Sequence, residues 1–282
     1  MGKVLACVDG SVYADSVIDH AAWAATRLEA PVELLQVLGR REAASSDRSG
    51  RIVAGGRRKL LEQLAALDAE RAKLAHEEAW LALGEGKARL EAAGVGSVTV
   101  ALRHGDLLPT LDEREEDAEL VIVGKRGEAA DFATLHLGSN LERMVRSTRR
   151  PMLIAARAFK PISRFLVAFD GGPSALKAVD AISRSPLFAG LGALLLTAGE
   201  PTSATRAALE KAEAQLRAGG FDVEARVAPG RPETVIAETV EREEFGLLAM
   251  GAYGHSQLRA LVIGSTTAAL IRACRVPIAV YR

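Results

Sequence analysis

A doubly wound α/β fold, built twice in tandem, is the fold class that this 282-residue sequence predicts. Three observations predict it. The chain repeats itself, its apolar runs alternate with helical patterns, and several of those runs are apolar throughout. Continuous apolar strands fit a parallel sheet covered by helices on both faces, and strand–helix alternation is the mark of the α/β class.

The repeat consists of three blocks in the same order. "KVLACVDGSVYADSVIDHA" at residue 3 answers "RFLVAFDGGPSALKAVDAI" at residue 164. "LVIVGKRG" at 120 answers "LLAMGAYG" at 247, and "LGSNLERMVRSTRRPMLIA" at 137 answers "IGSTTAALIRACRVPIAVY" at 263. Asp9 and Asp170 lie 161 positions apart, but Gly127 and Gly254 only 127, so the first copy carries 34 extra residues between these landmarks. They fall within about 40–95, as a Ser-, Gly- and Arg-rich loop (43–58) followed by a helical stretch with Leu60, Leu64, Leu67 and Leu74 at helical intervals. The expected domains are 1–157 and 163–282, joined through "ARAFKPIS".

Strands are expected at 3–8, 32–38, 98–103, 120–123 and 152–155 in the first copy. In the second they are expected at 165–169, 193–197, 223–227, 247–250 and 278–281. Ser11 can cap a helix that turns Val17, Ala21, Ala24 and Leu28 to one face. Ser203 can cap another, with Leu209, Ala212 and Leu216 inward and Gly219-Gly220 ending it.

Composition excludes several classes. Lys+Arg and Asp+Glu both number 36, so no net field points to nucleic acid or a membrane surface. No apolar stretch reaches 18 residues without charge, no signal-peptide core opens the chain, and the cytoplasm is the expected location. Cys7 and Cys274 form no metal-ligand pattern and read as reduced core thiols. The turn after the first strand is "DGSVYA" or "DGGPSA", not GxGxxG, and neither copy has a P-loop, a nucleophile elbow or a zinc helix.

The chemistry lies in the glycine turns. In open α/β sheets, ligands sit beyond the carboxyl ends of the strands, where strand order reverses. Gly251 and Gly254 follow an apolar strand, and Gly264-Ser265 opens a helix with Thr266 in its first turn. Glycines let backbone N–H groups approach an anion closely. A helix N-terminus adds unpaired donors and partial positive charge, and the Ser265 and Thr266 hydroxyls add more. Together they form a phosphate cradle that needs no lysine. The bland alternative is glycines that only make tight turns. Asp9 and Asp170 can accept hydrogen bonds from a base or ribose, or cap the helix that follows. His136 and His255 flank the glycine segments and can touch phosphate.

These residues resemble the universal stress proteins in their tandem, two-domain form. The family's nucleotide motif, Gly-x2-Gly-x9-Gly-(Ser/Thr), is matched by Gly251, Gly254, Gly264 and Ser265. Gly124 and Gly127 match in the first copy, but ten residues separate Gly127 from Gly138-Ser139, beside Asn140. The resemblance maps the family's strand-one aspartate to Asp9 and Asp170, and its adenine-contacting residue to Val37, with Ala198 in the second copy. It implies five-stranded parallel sheets in order 3-2-1-4-5, the adenine nucleotide α-hydrolase-like arrangement. It also implies ATP or ADP with Mg²⁺ as ligand, and pairing of the two copies through their last strands, "PMLIAA" and "VPIAVYR". A homodimer and a protein partner of unknown identity are further implications. With no catalytic base evident, hydrolysis is expected to be slow or absent. Two alternatives remain at this stage. One is an interaction module with structural glycines and empty sites; the other is an adenylating enzyme, whose SGGxDS-type loop "DGGPSA" echoes only in part.

Overall fold

A computed structural model describes residues 2–39, 54–125, 139–200, 202–253 and 263–282, with backbone alone for 54–59 and Ser139. The first half runs β1 (Lys3–Val8), α1 (Ala14–Leu28), β2 (Val32–Leu38), α2 (Ala54–Ala92), β3 (Val98–His104), α3 (Leu107–Arg114), β4 (Ala118–Gly124), α4 (Ser139–Ser147) and β5 (Met152–Ala155). The second runs β6 (Arg164–Ala168), α5 (Pro173–Arg184), a 3-10 turn at Pro186–Phe188, β7 (Gly192–Ala198), α6 (Ser203–Ala218), β8 (Val223–Ala228), α7 (Pro232–Arg242), β9 (Leu247–Gly251), α8 (Ser265–Ala273) and β10 (Ile278–Tyr281).

The ten strands form one sheet in the order β3-β2-β1-β4-β5-β10-β9-β6-β7-β8. Each half therefore has the 3-2-1-4-5 order, mirrored about the β5–β10 seam. Every pairing within a half is parallel; β5 and β10 pair antiparallel, Ile154 opposite Ile278, Leu153 opposite Ala279 and Met152 opposite Val280. The "PMLIAA" and "VPIAVYR" segments thus close each other's open edge.

Side chains alternate across the sheet and feed two apolar layers. Val4 and Ala6 of β1 join Val17, Leu83, Val179 and Leu216 on one face, under α1, α2, α5 and α6. Leu5 joins Leu111, Met144, Val240 and Ile271 on the other, under α3, α4, α7 and α8. Both layers cross the seam. Phe165 anchors the second half at 0% exposure, its ring 4.9 Å from that of Phe188 and 5.9 Å from that of Phe221.

Three local expectations are corrected. Tyr13, not Ser11, is the N-cap of α1; Ser11 Oγ instead accepts from the Tyr13 amide at 3.3 Å, bracing the preceding turn. Thr202 rather than Ser203 caps α6, accepting from Thr205 N at 3.1 Å. Helix begins at Ala54, inside the stretch read as loop to residue 58, because tertiary anchoring of its far end propagates the helix upstream. The Gly219-Gly220 stop holds: Gly220 has φ +87°, and a Cβ on Gly219 would meet the Ser183 backbone.

The connection between the halves is held by α1. Ser16 Oγ donates to Ala156 O at 2.7 Å, and His20, at 0% exposure, lies 5.0 Å edge-on to Phe159. His20 Nδ1 lies 2.6 Å from Ser16 O, and its Nε2 has no partner among the described residues. Burial pushes the imidazole pKa down, outweighing the Ser16 carbonyl and Asp19, so the folded state keeps it neutral. The unfolded chain takes up that proton as pH falls through about 6.5, so His20 lowers stability progressively below that pH. Thermal melts between neutral and mildly acidic pH are expected to show a falling Tm, with a shallower slope in His20→Leu. An unchanged slope would remove His20 as the cause.

Candidate functional site

The register brings the candidate residues to one edge of the sheet in each half. Val8 pairs with Gln36, so Asp9 and Val37 follow at the same level on adjacent strands. Cys7 pairs with Val123, so Gly124 ends the strand on the other side of β1. In the second half Ala168 pairs with Met250, and Asp170 and Gly251 leave neighbouring strands together. β1 and β6 are the strands where order reverses, the position where open α/β sheets form a crevice. Val37 is half-buried against the core layer that also contacts Cys7 and Ala168.

Both aspartates fold back onto their own turns. Asp170 Oδ1 accepts from Gly172 N at 2.8 Å, with Gly171 at φ +76° between them. Asp9 Oδ1 accepts from Ser11 N at 3.1 Å. The expected capping role is thus realised as an Asx turn that sets the entry to α1 and α5.

Gly251 does more than make a turn. A Cβ built on it would clash with Ser174 Oγ and lie 2.8 Å from Ala175 N, so the first turn of α5 packs directly on the strand. Ser174 Oγ then donates to Tyr253 O and lies 3.3 Å from Tyr253 N. Ala252 N donates to Tyr281 O at 2.7 Å, and Thr267 Oγ1 donates to Ala252 O at 3.2 Å. The segment leaving β9 is thereby fixed by α5, α8 and β10 together. The role of Ser174 was not legible in the sequence, since the matching position in the first copy is Tyr13.

Among the described residues, no side chain caps the N-terminus of α8 beside this segment. Gly264, its N-cap (φ −55°, ψ 139°), supplies no side chain, and the first turn holds no acidic residue. The first N–H groups of an α-helix have no intrahelical acceptor, and Ser265 is exposed and Thr266 half-exposed next to them. In the first half α4 begins at Ser139, with Asn140 exposed. Gly127, Gly138, His136, Gly254 and His255 lie outside the described residues, as does the Ser139 side chain.

The two halves also hold each other's helix ends. Lys125, one residue past Gly124, donates to Cys274 O at 2.7 Å and Arg272 O at 3.3 Å, at the C-terminus of α8. Arg282 donates to Arg146 O and to Ser147 O at the C-terminus of α4, and its guanidinium lies 5.7 Å from the centroid of the Tyr253 ring. Cations there complement the negative helix ends. Sequence reading missed both, because a long side chain crossing between halves leaves no periodic signal. Cys7 and Cys274 are free thiols, pushed up by burial to about 12 and about 11. Among the described residues no cluster of three His, Cys, Asp or Glu could hold a metal ion.

The universal stress protein family model matches residues 1–156 and again 161–282. The chain belongs to the universal stress protein family. A universal stress protein of Synechocystis sp. (strain ATCC 27184 / PCC 6803 / Kazusa) is 38% identical over 287 residues, covering 100% of both chains. Among solved structures, a universal stress protein from Archaeoglobus fulgidus DSM 4304 matches with a TM-score of 0.75 at 21% identity, over 99% of this chain and 98% of that one. A functionally unknown protein from Pseudomonas aeruginosa PAO1 matches with a TM-score of 0.62 at 16% identity, over 100% of this chain and 92% of that one. Those two structures share the universal stress protein fold with this chain. No helix among the described residues is long and apolar enough to cross a membrane.

Proposed function

We infer that this universal stress protein binds ATP or ADP through main-chain amides and acts as a cytoplasmic stress-response regulator rather than as a strong catalyst. The domains carrying the two sites are read as 1–157 and 163–282. One observation carries the reading. Thr267 in the first turn of α8 is bonded to Ala252, one residue past Gly251. The bare helix start and the glycine-marked strand exit therefore form one place, beside the Asp170 turn. A helix N-terminus beside a glycine turn suits an anion such as a polyphosphate, which supports the reading.

The Ser265 and Thr266 hydroxyls and the amides of their turn would hold the phosphates, with Gly254 and His255 on the intervening loop. Asp170 would face the ribose, and Ala198 the base. The first copy would use Asp9, Val37, Gly124, Gly127, Gly138, Ser139 and Asn140 in the corresponding roles. Mg²⁺ would neutralise phosphate charge and be held mainly by the nucleotide and water. Hydrogen bonds to a charged group contribute about 1.5–3 kcal/mol each, so three or four suffice for binding.

A second reading also has support. Gly251 is already accounted for by the close approach of α5, so glycines here can serve packing in a module that binds no nucleotide. Calorimetry with ATP and ADP, and chromatography of the acid-soluble fraction of purified protein, separate the two. Gly254→Val is expected to weaken ATP binding about tenfold or more, a loss of ~1.4 kcal/mol, without unfolding the chain. Gly127→Val reads out the first site in the same way. No heat and no thermal shift with either nucleotide at millimolar concentration would leave the interaction module standing.

A further inference from the structure

Among the described residues, helix α2 meets the body through its C-terminal half. Ala79, Leu83 and Leu90 are buried against the body, Gly86 packs on Ile18, and Arg89 pairs with Asp15 and Asp19. Successive residues turn by about 100°, so Ala79, Leu83, Gly86 and Leu90 form one stripe. Leu60, Leu67, Leu74 and Leu81 repeat every seven residues, opposite that stripe at Leu81 and Leu74 and drifting toward its flank at Leu60, exposed by 46%, 51%, 58% and 70%. Leu64, four residues beyond Leu60, is 48% exposed. The corresponding positions beyond Leu67 and Leu74 are Arg71 and Glu78, both exposed. A seven-residue apolar repeat is the pattern by which helices pair.

We propose that this stripe is a dimerisation seam: it pairs with the same stripe of a second copy of the chain, the two helices running antiparallel. Charge decides the orientation. Parallel pairing would set Arg71 against the partner's Arg71 and Glu78 against the partner's Glu78, like charges beside the seam. Antiparallel pairing about an axis near Leu74 sets Arg71 against the partner's Glu78, twice. The same register brings Leu67 to the partner's Leu81 and Leu74 to the partner's Leu74. The buried stripe then faces outward on both helices, so the two bodies sit at opposite ends without collision. The β5 and β10 edges already pair within the chain, so a second copy must use another surface.

Sedimentation velocity of the full chain over a concentration series tests this. A dimer is expected, and Leu67→Glu/Leu74→Glu is expected to be monomeric yet folded, melting where the wild type melts once diluted below its dissociation constant, since neither leucine is buried within the chain. Arg71→Glu is expected to raise the dissociation constant about tenfold or more, and Arg71→Glu/Glu78→Arg to restore it. That restoration is specific to opposite-charge pairing between copies. Under oxidation, Leu67→Cys protein should crosslink to Leu81→Cys protein and not to itself. The proposal is overturned by a wild-type chain that stays monomeric, by a dimer that survives the double glutamate variant, or by self-crosslinking of Leu67→Cys. A monomeric chain that instead captures a different protein through these leucines would overturn it too.

Discussion

Gly251→Val is expected to destabilise the protein by about 3 kcal/mol and, under the proposed function, to abolish nucleotide binding in the second half. The added Cβ would overlap the van der Waals sphere of Ser174 Oγ and press on the backbone of Ser174 and Ala175. Two of the three atoms met are main chain of a helix start, so no rotamer change relieves the overlap; α5 must retreat from β9. The retreat pulls Ser174 off Tyr253, releasing one of the ties that set the glycine segment. Urea unfolding measures the loss of stability, and a fall in Tm on the order of 10 °C would accompany it. Ser174→Ala is the control, since it removes the hydroxyl while leaving the helix in place, and it should cost far less stability. If valine is accommodated with little change in the midpoint, the packing role assigned to Gly251 is wrong.

Ile154→Lys is expected to cost about 3–5 kcal/mol by placing an unpaired charge in the seam, and to split unfolding into two steps. Ile154 and Ile278 face each other across β5 and β10, each 1% exposed. Leu153 and Ala279 do the same on the opposite face, at 0% and 2%. The seam is thus apolar on both sides of the sheet and continuous with both core layers. Such continuity predicts that the two halves of the wild-type protein unfold together. Calorimetry should show one transition for the wild type and two for the variant, with the first half melting earlier. Two separate transitions in the wild type would show that the seam does not couple the halves.

Much of the fold was legible because it rests on local, repeated signals. The strands expected for β1, β2, β5 and β10 match the observed ones residue for residue; β5 and β10 are unbroken apolar runs, as burial on both faces leaves them, whereas β1 opens on Lys3 and β2 buries Glu33 and Gln36 among its apolar residues. Val17, Ala21, Ala24 and Leu28 are all buried, as their 3.6-residue spacing requires. Caps were less legible: Thr202 and Ser203 offer adjacent hydroxyls before α6, and α1 starts at Tyr13 with no side-chain cap at all, two residues past the serine. The bare Gly264 start of α8 was readable from glycine and serine alone. The packing duty of Gly251 was not, because its cause is Ser174, 77 positions earlier in the chain.

By itself the sequence determined that the chain folds as two α/β repeats with glycine turns at the strand ends. Periodicity and repeated motifs are properties of neighbours in sequence, so they survive without a structure. Only the tertiary structure decided which residues meet across that distance. It set Lys125 and Arg282 on the opposite half's helix ends, closed Thr267 onto Ala252, and left the leucines of α2 facing water. Those outcomes depend on where strands pair and where a helix runs out of body to cover it, which no local pattern encodes.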